Sequence, residues 1–380
     1  MFEFLKRKTK MSTEIVETSA SKVDFAGAKL NQIGLNDPYC PEIKSSYGYI
    51  YGDRNLYPQQ LLRAYSTSPI HQACINYKVL MTAGEGLFLD RTNLNLDKQI
   101  IGEQLMYFFN KAIEGITNDY FIHNRFYLQI TWNSNFTKII KIKHISAEKI
   151  RVFDINDNFE PISFNYCFDW KQVGRFGTIK YPIFSTENKK DNVQLFEFQG
   201  DTPGKKIYTL PTYRSSLDWV NLDGQMATYH NANITNSLNP SLVVKFFQLP
   251  DTDQKKESIR QALVDSFAGA EKTGRVMTFF SPDKETAPEV IQLEPNKLDK
   301  TFISLTDTIQ RAITYSHNIN PDLLGLKTPG SLGTNAGQLS EIKAQFIESV
   351  ILPAKNKIEC ELNYLASING ITGIQLKSKI

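Results

Sequence analysis

The sequence predicts an α+β protein: helices pack beside an antiparallel sheet, and a small mixed unit is carried between two further helices. Three observations carry that expectation. Residues 126–198 contain short segments with period-two alternation, rich in β-branched and aromatic side chains. Before 116 and after 300 the apolar residues recur instead at three- and four-residue steps, the period of amphipathic helices. Between Asn239 and Pro295 the pattern passes from strand to helix and back to strand within one short stretch.

Residues 11–55 are mixed in composition, with Pro38, Pro41, Gly48, Gly52 and the cluster Tyr47, Tyr49 and Tyr51. They read as an extended arm lying on a neighbouring surface. A helix follows from Pro58, with Leu61, Leu62 and Tyr65 on one face. Ser68 then Pro69 is a cap followed by a first-turn proline, so a second helix starts there. Its face is expected to carry Ala73, Ile75, Tyr77, Val79 and Leu80, and Thr82–Gly86 ends it. Asp97–Gly115 reads as a third helix that buries Ile100, Ile101, Leu105, Phe108 and Phe109. From Asp119 the period changes to two. Strands are expected over Phe126–Trp132, Thr137–Ile145, Ile150–Phe153, Pro161–Trp170 and Gln194–Phe198. Turn chemistry at Asn133–Asn135 and Asp154–Asn158 separates them.

After Pro211 the pattern is helical again. Ser215–Leu238 carries Leu217, Trp219, Val220, Leu222, Met226 and Tyr229, and its second half is polar but almost uncharged. A strand (Leu242–Leu249), a helix (Asp253–Ala268) and two strands (Arg275–Phe280, Glu289–Leu293) then form the inserted unit. From Thr301 a helix buries Phe302, Leu305, Ile309 and Ile313. Gly325–Gly337, with glycines at 325, 330, 333 and 337, cannot hold a helix, because glycine is entropically costly there and Pro329 lacks a donor. A longer helix follows, with its stripe at Leu339, Ile342, Phe346, Val350, Ile358, Leu362 and Leu365. Pro353 inside it is expected to bend it, since its ring meets the carbonyl of Ser349.

Composition bounds the function. The chain has 380 residues, with 43 basic against 40 acidic side chains and a net charge of +3. That balance does not announce a protein that coats nucleic acid by electrostatics. The four cysteines, Cys40, Cys74, Cys167 and Cys360, never approach a CxxC spacing, which argues against zinc and a disulfide framework and for free thiols. No apolar run reaches the roughly 18 residues of a membrane span. Met1–Lys10 has its charges after its apolar residues, unlike a secretory signal, and Lys6–Lys10 reads as a solvated tail. His71, His123, His144, His230 and His317 show no metal-ligand spacing and read as packed or solvated residues. Gly325–Thr328 lacks the order of a phosphate loop and follows a helix where that loop needs a strand. Asp218 and Asp223 do not share a helix face. No catalytic residue, metal or cofactor is expected.

Several motifs in order resemble a known family. Asn55-Leu-Tyr-Pro-Gln-Gln-Leu-Leu62, then Ser68-Pro-Ile-His71 and Ala83-Gly-Glu-Gly86, are similar to the opening of tailed-bacteriophage portal proteins of the HK97-like group. Asn318-Ile-Asn-Pro-Asp-Leu-Leu-Gly325, the Gly/Ser/Asn loop, Phe346, Leu352-Pro353 and Ile358-Glu-Cys-Glu-Leu-Asn363 resemble the family's end. The resemblance covers most of the chain. It implies a ring, usually dodecameric, at one capsid vertex, through which a large terminase drives double-stranded DNA. It further implies contacts with the major capsid protein, scaffold and a head-completion adaptor, location in the virion after assembly in the host cytoplasm, and no membrane.

Carried onto these residues, 1–55 would be an N-terminal arm and 56–214 a wing. Residues 215–239 and 298–325 would form the stem, 240–297 the clip, 326–337 a tunnel loop, and 338–380 a kinked helix with a minimal crown. Lys327, Thr328, Ser331, Thr334 and Asn335 would meet passing phosphates, without reading sequence. A strongly basic lining would brake sliding, and the proposed stem helices carry few charges and many Asn, Thr and Ser. Taken alone, Lys327 reads as an ordinary exposed loop lysine; ring symmetry makes it matter. Lys255, Lys256, Arg260, Glu271 and Lys272 are the clip charges expected to meet the motor or adaptor. Two other readings stay open: another ring-forming head–tail connector, or an enzyme whose site is assembled from residues distant in sequence.

Overall fold

The computed structural model describes residues 44–92, 94–187, 191–204, 207–236, 242–246, 252–255, 257–259, 261, 276–280, 295–326 and 336–377. Helices α1 (Tyr57–Thr67) and α2 (Pro69–Ala83) meet at Ser68, whose side chain accepts from the His71 amide and caps α2. The inward face of α2 differs from the expected one. Leu80 is 52% exposed and Ala73 faces out, while His71, Cys74, Ile75, Lys78 and Thr82 are buried at three- and four-residue steps. In this partly polar stripe His71 and Lys78 face inward to meet His317, where hydropathy alone points the other way.

Helix α3 (Leu96–His123) runs eight residues past its expected end at Gly115. Nothing between Ile116 and His123 breaks a helix, and Asn124, in the left-handed conformation (φ 55°, ψ 31°), stops it. Period-two structure therefore begins at Arg125 and not at Asp119. Ile100 faces solvent, while Leu105 and Phe109 are buried as expected.

Strand β4 (Arg125–Trp132) lies between β5 (Ile139–Ile145) and β9 (Val193–Gln199), antiparallel to both. A register shift at Thr131/Trp132 skips Ile140, which is left exposed. The second sheet has the order β6 (Ile150–Ile155), β7 (Pro161–Tyr166), β8 (Ile179–Pro182). β7 stops at Tyr166, short of the expected Trp170, because the Asp169 side chain accepts the Lys171 amide and starts a 3-10 turn at Trp170. The four-residue helix α4 (Val173–Phe176) follows.

Because successive side chains of a strand point to opposite faces, β4 divides two cores. Phe126, Leu128, Ile130 and Trp132 join Leu105, Phe109, Ile116, Ile358 and Leu362 on one side. Tyr127 joins Tyr51, Leu61, Ile75, Ile309 and Ile313 on the other. Tyr51, expected on an extended arm, is 1% exposed and stacks on Tyr208 with ring centroids 4.0 Å apart. Residues 44–49 form a small hairpin, β1 (Lys44–Ser45) with β2 (Gly48–Tyr49). Arg151 holds the turn after it: its guanidinium donates to Asn55 Oδ1 and O, Gln59 Oε1, and the carbonyls of Glu148 and Ile150.

Helix α5 (Leu217–Asn236) leads to β10 (Leu242–Phe246), which pairs in parallel with β11 (Val276–Phe280). A parallel pair requires a crossover between its strands, and residues 253–255, 257–259 and 261 there are helical. The expected strand Glu289–Leu293 lies outside the described residues. Helix α6 (Pro295–Ser316) returns to the body, followed by a 3-10 turn at Pro321–Leu324. The chain ends in α7 (Ala336–Phe346), a π turn (Ile347–Ile351) and α8 (Leu352–Ser367). Strand β12 (Ile374–Leu376) then pairs antiparallel with β3 (Leu87–Leu89).

Candidate functional site

The functional elements meet where the pair α5/α6 leaves the body. Leu217 and Val220 at the start of α5 and Ile309 and Ile313 near the end of α6 are buried, so hydrocarbon fixes the root of the pair. Polar contacts then set its register. Ser316 Oγ donates to Ser216 Oγ (2.6 Å), and the Tyr213 ring stacks on His317 at 5.0 Å between centroids. Asp223 Oδ2 accepts from Ser68 Oγ (2.6 Å) and the Ile70 amide, which ties α5 to the first turn of α2 and places a carboxylate at that helix's positive end. Gly224 lets helices α5 and α1 approach closely here. A Cβ on it would lie 3.1 Å from Thr67 Oγ1, so α5 and the end of α1 touch almost backbone to backbone.

Beneath the root lies a buried nitrogen chain. Lys78 Nζ is 3.2 Å from His317 Nδ1, and His317 Nε2 is 2.8 Å from His71 Nδ1. An ammonium only donates, so His317 accepts at Nδ1 and carries its proton on Nε2. That proton goes to His71 Nδ1, which leaves the His71 proton on Nε2. His71 Nε2 has no hydrogen-bond partner among the described residues. Burial drives each group toward its neutral form: His71 falls to about 3, His317 falls well below its ordinary value, and Lys78 falls to about 8. No acidic side chain among the described residues pairs with Lys78. Its cation lies over the Phe121 ring at 5.7 Å.

The segment after α6 is gripped at both ends. Ile319 is buried, Asn320 caps the 3-10 turn by accepting from the Asp322 amide, and Gly325 closes it with φ 73°. Helix α7 begins at Ala336, eleven residues after Gly325, and Phe346 packs on Tyr77 at 5.5 Å. Across the π turn the buried positions step from Phe346 to Ile351, then Ala354, Ile358, Leu362 and Leu365. That five-residue step is the spacing of a π turn, and it replaces the expected stripe through Val350, which is only half-buried. Pro353 stands one residue past the π turn, with helical backbone on both sides of it.

The loop residues Lys327, Thr328, Ser331, Thr334 and Asn335 lie outside the described residues. So do Lys256, Arg260, Glu271 and Lys272; Lys255 is exposed. Sequence reasoning missed the Lys78–His317–His71 chain, although a signal was present. His317 continues the Ile309–Ile313 stripe by four residues, and Lys78 follows Cys74 by four. No group of three or more possible metal ligands occurs among the described residues, and no described helix is long and apolar enough to cross a membrane. Cys74, Cys167 and Cys360 are free.

Residues 109–377 match the family described as phage portal protein. The chain belongs to that family. Comparison with curated proteins found no match. Among solved structures, this portal chain is similar to one from the virion of a native gene transfer agent particle, with TM-score 0.57 and 13% identity over 85% of this chain and 83% of that one. It is also similar to a chain of the neck of the empty particle, computed with C6 symmetry, with TM-score 0.59 and 13% identity over 85% and 84%. A third match is the neck of the native particle, computed with C12 symmetry, with TM-score 0.54, 13% identity, and 85% and 83% coverage. At that identity the likeness is one of fold. The portal fold, helices with small antiparallel sheets, is the fold of this chain.

Proposed function

We propose that copies of this portal chain form a ring, dodecameric by analogy with the twelvefold neck, at one vertex of a virion. Double-stranded DNA is driven through it by a large terminase and later leaves by the same channel. The observation that carries this reading is the family match spanning the helix pair α5/α6, the segment after it and the α7/α8 helix with its π turn. In the ring, α5 and α6 serve as the stem, residues 240–297 as the clip, and 326–337 as the tunnel loop. Lys327, Thr328, Ser331, Thr334 and Asn335, repeated around the axis, give many weak phosphate contacts that hold a duplex without reading or trapping it. Lys255, Lys256, Arg260, Glu271 and Lys272 meet the terminase during filling and an adaptor afterwards. The wing, residues 56–214, faces the major capsid protein and scaffold. The chain does no chemistry of its own, because hydrolysis belongs to the motor.

Negative-stain electron microscopy with native mass measurement tests this. Rings with a central hole of about 20 Å or more, the width of a duplex given its groove dimensions, are expected. A chain that stays monomeric and cleaves DNA or ATP would overturn the reading. In assembled particles, Lys327→Ala is expected to leave ring mass unchanged and to alter the rate of DNA packaging.

A further inference from the structure

The two ends of the β6–β7–β8 sheet have opposite characters. At one end the turn between β6 and β7 presents Asp157, Phe159 and Glu160, and the start of β7 presents Ile162, all exposed, with Phe159 at 49%. At the other end Phe168 is 62% exposed and its ring lies 5.3 Å from the exposed ring of Phe176. Cations surround this pair: Lys149 Nζ is 5.2 Å above Phe168, Arg175 is 5.6 Å above Phe176, and Lys171 is exposed beside them. Asp169, whose carboxylate accepts the Lys171 amide, and half-buried Glu148 lie at this end too, so three cations stand there against two acids. Lys44 and Lys180, between the two ends, are both paired with Asp154. Strand β7 joins the two patches, and its six residues (Pro161–Tyr166) put them roughly 20 Å apart.

Each patch combines exposed apolar side chains with charges of mainly one sign. A two-fold axis through either patch would set like against like, carboxylate to carboxylate and ammonium to guanidinium, which is repulsive, and one between the patches would close a dimer and not a ring. Head-to-tail contact instead pairs acid with base and apolar with apolar. Such a heterologous contact generates a ring when its rotation closes. We propose that this sheet joins neighbouring copies of the chain, with the acidic tip Asp157–Ile162 of one seated against the basic aromatic end (Lys149, Phe168, Lys171, Arg175 and Phe176) of the next. The occupant is a second copy because the chain itself carries both complementary halves. This contact deepens the ring reading and rests on it.

Charge reversal tests it by native mass at low salt, about 0.1 M, where the Debye length is about 10 Å. Lys171→Glu with Arg175→Glu reverses the basic end, and Asp157→Lys with Glu160→Lys reverses the tip. Either pair alone is expected to lower the assembled mass toward the monomer. All four substitutions in one chain restore the wild-type mass, which also shows that the variants fold. Mixing the two double variants is expected to give rings that alternate the two chains. If either pair alone leaves wild-type mass unchanged, the patches face some other partner, and the contact is overturned while the ring reading stands. Failure of the fourfold variant to reassemble overturns it equally. A wild-type chain that forms no multimer sinks both.

Discussion

On one side of β4, Phe126, Leu128, Ile130 and Trp132 meet Phe109, Ile116, Leu362 and Leu365, with amides such as Asn369 and Gln194 among the few buried polar groups and the Asp119–His144 pair at its margin. On the other side Tyr127 meets a core that also holds Arg125, Arg151, Lys78, His71 and His317. Both exclude water, but they buy different things: the first gives adhesion without direction, the second gives direction. A guanidinium with all five donors bonded, or a lysine that fixes two histidine tautomers in series, is satisfied in one arrangement only. The directional core lies under the helix pair and the segment after it.

The largest expected effects come from removing one large side chain on each side. Phe109→Ala leaves a cavity and is expected to cost about 3–5 kcal/mol. Arg151→Ala strips the acceptors on Asn55, Gln59, Glu148 and Ile150 of their donor and is expected to cost a similar roughly 3–5 kcal/mol. Adding a small apolar ligand, measured by denaturant midpoint, separates them. The Phe109 cavity is apolar and accepts such a ligand, whereas the Arg151 site, lined by carbonyls, does not.

Acid should distinguish the cores next. Burial lowers His71 to about 3 and His123 to about 4, and lowers His317 as well. Below pH 6.5 the unfolded chain binds protons that the native chain refuses. Native stability is therefore full above about 6.5 and is lost as pH falls toward 4 and 3, with each histidine contributing up to about 1.4 kcal/mol per pH unit. Hydrogen exchange at pH 4.5 is expected to show amides in α2 and the last turns of α6 opening before those of β4 and α8. Simultaneous opening would remove the distinction between the cores.

A smaller effect belongs to Lys78→Met. Burial lowers Lys78 to about 8, so between pH 8 and about 10.5 the unfolded chain holds a proton that the native one lacks, and wild-type stability rises with pH there. The methionine variant lacks that rise. At pH 7 the relief of a buried charge and the lost donor to His317 Nδ1 oppose each other, leaving a net change of about 1 kcal/mol in either direction. Urea midpoints at pH 7, 8 and 9.5 read both quantities.

How far the sequence reveals each core follows from the same difference. The adhesive core was largely readable, since Leu105, Phe109, Phe126–Trp132, Ile358, Leu362 and Leu365 announce themselves by apolar period. The directional core was not. Its inward stripe on α2 includes His71, Lys78 and Thr82, which hydropathy assigns to solvent, and their partners stand up to 246 residues away in the chain. Helix α3 outran its expected end for a local reason: period weakens through Thr117–Asp119, while Thr117 Oγ1 simply bonds back to the Ile113 carbonyl. The motifs at Ser68–His71 and Asn318–Gly325 stood out for the family they resemble. Their physical link, a buried contact from His71 to His317 just before the second motif, appears only in three dimensions.

The smallest expected effect sharpens the comparison where both cores meet one helix. Phe346, Ile351 and Ala354 belong to the directional core, and Ile358, Leu362 and Leu365 to the adhesive one. The π turn at Ile347–Ile351 adds one residue between Phe346 and the rest, and so rotates the later stripe toward its own core. If packing on both sides maintains that turn, Pro353 is a tolerant passenger in the first turn of α8. Pro353→Ala is then expected to change stability by less than about 1 kcal/mol and to keep the five-residue step, because a regular helix would turn Ile358 and Leu362 about 100° out of their core. If the proline itself forces the turn, the alanine variant regains the bond to Ser349, loses the π turn, and moves Val350 inward in place of Ile351. A structure of the variant, or paired cysteine cross-linking from position 350 or 351 to Tyr77, decides between the two.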